Sequence, residues 1–496
     1  MLRKALLTAC LLAAGTSYAQ TAQTDIGKFQ IRVGRPFITR GPVSNMLDNP
    51  LNTIKLNNGQ FRVYSSGGTT YRFQGIDSWG ATAGQAYPVL GPVANSYASC
   101  GLWLNDTSRV PGSTVSYYGF AHAETECNYA NGGQTFKSTA LVQSDNEGGT
   151  WRLSGQILSG GAPVAGTQSG EGDCTAATDN YYVYLYCLRT SDFNLIAARA
   201  PIDNPIPGNW YKFKDGAWSQ AGLGGDASPL RYTDALRSPI GFGSASVSKW
   251  TSKNYVTLVN NESSGSARGG VYISFSDNFV DFSRVPQPIL VTDGAEWIRT
   301  AASGDLIAYP SGIGLNGGRE WDGGFLLTYT FLEPGEDFQR RFLVFREVYV
   351  FQGGQVGAQD PQVGIELTKW VAEGTVPRGI RTTTAPVQGN YAQYAYGGKL
   401  GYVMSASLPG TIALEECVSY WPGTADHLVT WDGTCAGAGY RRLRTIGWIY
   451  TSPQPNTVAI YRCWSPSYYK SHYVSTDAAC EGRGDQEFLL GWVLAS

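Results

Sequence analysis

Charge is sparse in this chain: 15 % of its 496 residues are Asp, Glu, Lys or Arg, and the net charge is −2. So nearly neutral a composition leaves no basic footprint for nucleic acid. Histidine is scarcer still, with three residues, and no Cys-x-x-Cys or Cys/His cluster has zinc spacing. No EF-hand pattern occurs either. Beyond the N-terminus no apolar run approaches the roughly 18–20 residues that cross a bilayer as a helix, and no amphipathic helix longer than a few turns is legible. What the chain has in quantity is glycine, 62 residues, and aromatics, 13 % of the total with 30 tyrosines. That is the composition of an exported all-β protein with many turns. Tyr and Trp also suit sugar faces, although any single one more often fills a sheet.

Residues 1–19 read as a secretory signal: Arg3 and Lys4, an apolar stretch Ala5 to Ala14, then Ser17-Tyr18-Ala19 as the cleavage site. The mature chain then starts near Gln20, in the periplasm or outside the cell. Leu7-Thr8-Ala9-Cys10 fits a lipobox, but only about five apolar residues precede Cys10, against roughly 7–15 in a normal signal core. Lipid anchoring at Cys10 is therefore not expected. Eight of the nine cysteines remain after cleavage, an even number that implies disulfides in an oxidising compartment. Their order suggests four local pairs: Cys100–Cys127, Cys174–Cys187, Cys417–Cys435 and Cys463–Cys480.

Strand signals dominate residues 59–365, as alternating or aromatic-rich runs bounded by Gly, Asn, Asp and Pro. Examples are Val115–Ala121, Tyr181–Cys187, Tyr255–Asn260, Val271–Phe275, Phe325–Thr330 and Phe342–Phe351. Ser144-Asp145-Asn146-Glu147-Gly148-Gly149-Thr150-Trp151 resembles the Asp-box of sialidase-type propellers, Ser-x-Asp-x-Gly-x-Thr-Trp, with Asn146 in the acidic position. Asp173 through Tyr186 looks like the tyrosine-rich innermost strands of five-bladed arabinanase- and fructosidase-like glycosidases, and Val271 through Phe282 like their outer-blade hairpin. The resemblance implies an all-β, five-bladed propeller over 59–365, after an N-terminal extension over 20–58 that partly closes the ring. A structural calcium on its axis is compatible with this reading, and no other cofactor is called for.

A repeat follows. Leu400-Gly401-Tyr402-Val403 through Cys417 aligns without a gap on Ile446-Gly447-Trp448-Ile449 through Cys463, a period of 447 − 401 = 46. His427 and His472 each stand eight residues before a cysteine, and Gly491-Trp492-Val493 supplies a third Gly-aromatic step. Three such steps imply three units, the first lacking both His and Cys. The pattern resembles a secreted bacterial repeat marked by a His-Phe-Tyr/Val-Thr/Ser segment before Gly-aromatic. It implies a smaller threefold, trefoil-like domain over 370–496 that binds a glycan or a surface. The two histidines read as structural, packed on the neighbouring disulfides and bonded to backbone.

Cleaving a glycosidic bond needs two carboxyl groups facing it. The acids at suitable positions are Asp77, Glu124, Glu171 and Asp173, each flanked by small residues that leave room for a ligand. Asp77 or Asp173 would act as base or nucleophile and Glu124 or Glu171 as acid. His122 shares a strand face with Glu124 and would bind a hydroxyl or tune a carboxylate. Trp79, Glu296-Trp297-Ile298-Arg299 and Arg319-Glu320-Trp321-Asp322 offer rings and charges to clamp a sugar. Arg199 and Arg231 would suit a carboxylated one.

The leading expectation is a secreted glycoside hydrolase acting on an extracellular polysaccharide. A non-catalytic glycan-binding or adhesion protein is the main alternative. A sialidase would need an arginine triad and a Tyr nucleophile. A polysaccharide lyase would rest on His122 as base. The sequence does not disclose sugar, linkage, stereochemistry or oligomeric state. All of this requires that the scattered acids converge on one central well.

Overall fold

The computed structural model describes residues 22–241, 244–262, 269–294, 298–352, 363–372, 379–387, 394–421, 424–435, 437 and 439–495. The signal segment and Cys10 lie outside them, as do Glu296 and Trp297. The protein is all-β: five antiparallel sheets stand in a ring, followed by a smaller threefold unit. Blade 1 comprises Asn52–Lys55, Phe61–Gly67, Thr69–Gly75 and Tyr87–Leu90. Blade 2 comprises Gly101–Arg109, Tyr117–Asn128, Gln134–Ser144 and Arg152–Ser159. Blade 3 runs from Gln168–Thr178 through Tyr182–Arg189 and Asn194–Pro201 to Tyr211–Lys214 and Ala217–Ala221. Blade 4 holds Ser244–Trp250, Tyr255–Glu262, Gly269–Ser276 and Asp281–Arg284.

Blade 5 is composite. Leu306–Gly314, Gly324–Leu332 and Arg341–Gln352 take their fourth strand, Phe37–Val43, from the N-terminal side of the chain. Asn52–Lys55, the innermost strand of blade 1, also lies within the stretch 20–58 that the sequence sets aside as an extension. Strand Gly324–Leu332 is buried along its whole length, because a blade has neighbours on both faces.

Hydrogen bonds between successive innermost strands close the ring about its axis. Thr107 Oγ1 donates to Asn52 Oδ1 at 3.2 Å, Thr175 Oγ1 to Asp106 Oδ2 at 2.8 Å, and the Val247 N–H to Thr175 Oγ1 at 2.8 Å. The Tyr309 N–H then donates to Ser244 Oγ at 2.7 Å, and Thr53 Oγ1 to the Gly317 carbonyl at 2.7 Å. Arg319 ties the knot: its guanidinium donates to Asp106, Thr175 and the Val247 carbonyl. It is an axial clasp, not the sugar clamp expected from the sequence.

The C-terminal units are Val363–Ala372 with Ile380–Thr383 and Tyr394–Met404; Thr411–Trp421 with Thr424–Thr430 and Arg441–Tyr450; and Thr457–Ser465 with Ser471–Ser475 and Asp485–Leu494. The first thus begins at Val363, ahead of the expected boundary at 370. Gly401, Gly447 and Gly491 have φ of +140°, +154° and +151°, a region costly for side-chain-bearing residues. Each also lies where a Cβ would strike the next unit around: Gly401 meets Val493 at 2.5 Å, Gly447 meets Val403 at 2.5 Å and Gly491 meets Ile449 at 2.8 Å. Three equivalent contacts closing on themselves express the threefold relation in atoms.

The two parts share one apolar core, which runs from Trp250, Phe275 and Trp321 through Phe325 and Val350 to Ile365, Ile449 and Val493. Phe29–Val33 joins them, pairing antiparallel with residues 348–352 of blade 5 and parallel with residues 363–365 of the first repeat. Arg442 and Arg444 of the repeats reach Asp293, Asp305 and Glu333 of the propeller. All four disulfides form as local pairs, Cys100–Cys127, Cys174–Cys187, Cys417–Cys435 and Cys463–Cys480.

Candidate functional site

The inner strands present their first residues at one mouth of the ring, and there the chain gathers Asp48, Glu124, Asp173, His122 and Lys137. Glu124 lies opposite Gly101, which opens the inner strand of blade 2, and opposite Lys137 on its other side. Asp48 immediately precedes blade 1, and its N–H is bonded to the Ser66 carbonyl. Asp173 lies midway along the inner strand of blade 3, just after that strand leaves its pairing with blade 2 at residues 168–170.

A backbone kink decides what Asp173 meets. Its φ is +52°, and the ladder slips between Gly172 and Thr175, a bulge of the sort that re-aims a side chain. Glu171 consequently turns to Lys212, 2.6 Å away, in a buried pair inside blade 3. Asp173 turns to blade 2, with Lys137 Nζ 3.3 Å from Oδ2. Its own N–H donates to His122 Nδ1 at 2.9 Å. Because Nδ1 accepts that bond, the proton of the neutral ring stands on Nε2, where it points to Glu124 Oε1 at 3.1 Å. Trp103 meets the imidazole edge-on at 5.2 Å. Gly172 is required by this packing: a Cβ there would come within 2.3 Å of Nδ1.

Tyr129 Oη donates to Glu124 Oε2 at 2.6 Å. Burial raises the Glu124 carboxyl, but the hydrogen bond from His122, the Lys137 charge and the Tyr129 hydroxyl outweigh it and hold the group at about 2. Asp173 follows the same pattern, with burial overcome by Lys137 and, when its ring is charged, by His122, and the carboxyl lowered. Asp48 goes the other way. Burial drives its carboxyl up, the charges of Glu124 and Asp173 add to the rise, and Arg341 and Tyr309 only partly oppose it. Tyr309 Oη donates to Asp48 Oδ1 at 3.1 Å, and Arg341 Nη2 lies 3.8 Å from the same oxygen. Asp48 is the most open of the three, its side chain 32 % exposed against 14 % for Asp173 and 9 % for Glu124.

The other sequence candidates lie elsewhere. Asp77 caps a short helix, Ser78–Ala83, at the end of the third strand of blade 1, its carboxylate taken by the Gly80 N–H. Trp79 sits half-exposed on that helix. Glu171 is spent on Lys212. Trp321 is buried and stacks on Trp250 at 4.7 Å, so it is core. Arg299 donates to the carbonyls of Gly304, Glu333 and Glu336 and pins a loop. Arg231 donates to the Arg237 carbonyl on the outer side of blade 4, and Arg199 lies between the rings of Tyr182 and Trp218. His427 and His472 bond carboxylates rather than backbone: Glu416 at 3.1 Å and Asp426 at 2.8 Å.

Asp48, Lys137, Tyr309 and Arg341 were not among the sequence candidates. The signal for Asp48 is the Asp48-Asn49-Pro50 turn in front of Leu51 to Leu56, hidden by placing the first blade after residue 58. Lys137 is visible only once the pairing register is known.

No family model and no curated protein matches the chain. Among solved structures it is similar in outline to a family 117 glycoside hydrolase produced by the marine bacterium Zobellia galactanivorans, with TM-score 0.41, 12 % identity, and coverage of 67 % of this chain and 93 % of that one. An alpha-L-arabinofuranosidase from Lactobacillus brevis gives TM-score 0.39 at 12 % identity over 61 % of this chain and 91 % of its own. An endo-1,5-alpha-L-arabinanase from Thermotoga petrophila gives 0.40 at 12 % over 67 % and 80 %. Similarity this distant leaves the chemistry to be argued from the side chains.

Proposed function

We propose that the protein is an exported glycoside hydrolase that cleaves a polysaccharide at the mouth of the propeller. The observation that carries this reading is the gathering of three carboxyls at the mouth, Asp173 beside Lys137, Glu124 bonded by His122 and Tyr129, and the more open Asp48 bonded by Tyr309, with Asp48 raised and the other two lowered. Hydrolysis of a glycosidic bond asks for one carboxyl that holds its proton and one that does not. Asp48, the open one, donates to the leaving oxygen. Asp173, ionised beside Lys137, serves as base toward water or as nucleophile. Glu124 fixes the His122 tautomer and, already ionised, is unsuited to the acid role first expected of it. Four disulfides fit an oxidising compartment.

The purified protein is tested against arabinan, xylan and agarose, with Asp48→Asn and Asp173→Asn beside it. Cleavage of at least one, falling about 10²–10⁴-fold in both variants, is expected. Glycan retention without cleavage would leave a carbohydrate-binding protein. Unaltered cleavage in both variants would sink the assignment of roles.

A further inference from the structure

Away from the mouth, blade 1 carries a groove of about 390 Å³ lined by Gln60, Arg72, Gln74, Gln85 and Tyr87, within the size range of ligand sites. Strand register sets its Gln60 and Gln74 toward the other end of the ring, with Arg72, opposite Tyr64, and Tyr87, opposite Arg72, midway along the blade. Asp48 is bonded at Ser66, whereas Phe61 pairs with Gly75 and Arg62 with Gln74 at the opposite end of the same hairpin. At about 3.3 Å per residue, some five residues separate the two ends by roughly 15 Å.

The lining is already ordered. Arg62 Nε donates to Gln74 Oε1 at 3.2 Å, Gln74 Nε2 to Gln60 Oε1 at 2.7 Å, and Asn58 Nδ2 to the same Gln60 oxygen at 3.2 Å. Tyr87 Oη donates to Gln85 Oε1 at 3.1 Å. Arg72 lies over the Tyr87 ring at 5.5 Å and is anchored on the Gly149 carbonyl at 2.8 Å. Tyr87 is 46 % exposed. Amides held by one another lose little freedom on binding, and they offer donors and acceptors together, as vicinal hydroxyls require. An aromatic face beside them suits the C–H face of a sugar ring. No carboxylate lines the groove, and its one guanidinium is bound through Nη1 to the Gly149 carbonyl.

We propose that this groove is a second, non-catalytic binding site for a neutral polysaccharide, holding the chain while the mouth acts on it. The sugar class rests on the hydrolase reading; the location does not. Affinity electrophoresis of the full chain through gels containing arabinan, xylan or agarose, with polygalacturonate as charged control, provides the test. Retardation is expected in at least one neutral gel and persists in Asp173→Asn. Tyr87→Ala and Gln60→Ala/Gln74→Ala weaken it about tenfold, while Tyr87→Phe, which keeps the ring, retains it. Retardation unchanged by the alanine variants, absent from every neutral gel, or strongest with polygalacturonate overturns the proposal. Lost cleavage with retained, groove-dependent retardation removes the hydrolase and keeps the groove; cleavage without such retardation does the reverse.

Discussion

One residue separates Glu171 from Asp173, yet one faces Lys212 and the other Lys137, because the backbone turns left-handed at Asp173. Regular strand alternation would have set both carboxylates on one face. Gly172→Ala tests the packing at the kink: its Cβ would stand 2.3 Å from His122 Nδ1, and a loss of about 1–3 kcal/mol is expected in urea unfolding. Lys137→Met removes a charge that lowers Asp173. The acid limb of the pH–rate profile should move to higher pH, a shift that a purely structural lysine would not produce. Asp426 and His472 give a pH window for stability. The histidine is raised from 6.5 to about 9, so its contribution is complete below 6.5 and lost as pH rises through 9. The aspartate is lowered from 3.8 to about 2, so its share is complete above 3.8 and lost as pH falls through 2. Thermal melts of wild type against His472→Gln should converge at the alkaline end. His122, Glu124 and Asp173 stood out in the sequence because short motifs of acid and imidazole among small residues mark them. Asp48 and Lys137 were not, since their importance comes only from register and ring closure.

Among the elements, the glycines of the repeats are the clearest case of sequence dictating geometry. The 46-residue spacing of Gly401 and Gly447 announces the repeat, and the positive φ at both, with the close approach of a neighbouring strand, gives the reason. Gly401→Ala, Gly447→Ala and Gly491→Ala should each cost about 1–3 kcal/mol and match one another closely, as read by chemical denaturation; widely unequal costs would contradict the threefold relation. The start of the first unit was illegible for a definite reason. Trp370 pairs with Arg381 where the later units pair Cys417 with Leu428 and Cys463 with Tyr473, and Ile380 holds the place of the histidines. With both marker residues replaced by apolar ones, only the pairing reveals the unit.

For the molecule as a whole, the propeller and the repeats behave as one body, joined by a shared core and by buried charge. Arg444 contacts Asp305 and Glu333 on one side and Glu416 on the other. Arg444→Met would strand buried carboxylates, and a loss of about 3–5 kcal/mol is expected in calorimetry, within a single transition rather than two. The propeller was readable from strand spacing and turn chemistry. Its closure and its junction with the repeats were not, because the pairings that achieve them link residues as distant as Phe37 with Phe345 and Phe29 with Gln352. During synthesis, then, the strand made first waits unpaired until about two-thirds of the polypeptide has followed it, and once seated it acts as a latch. A nick or truncation that removes this strand would release both halves together, so the fate of the mouth is tied to the intactness of a segment that takes no part in it.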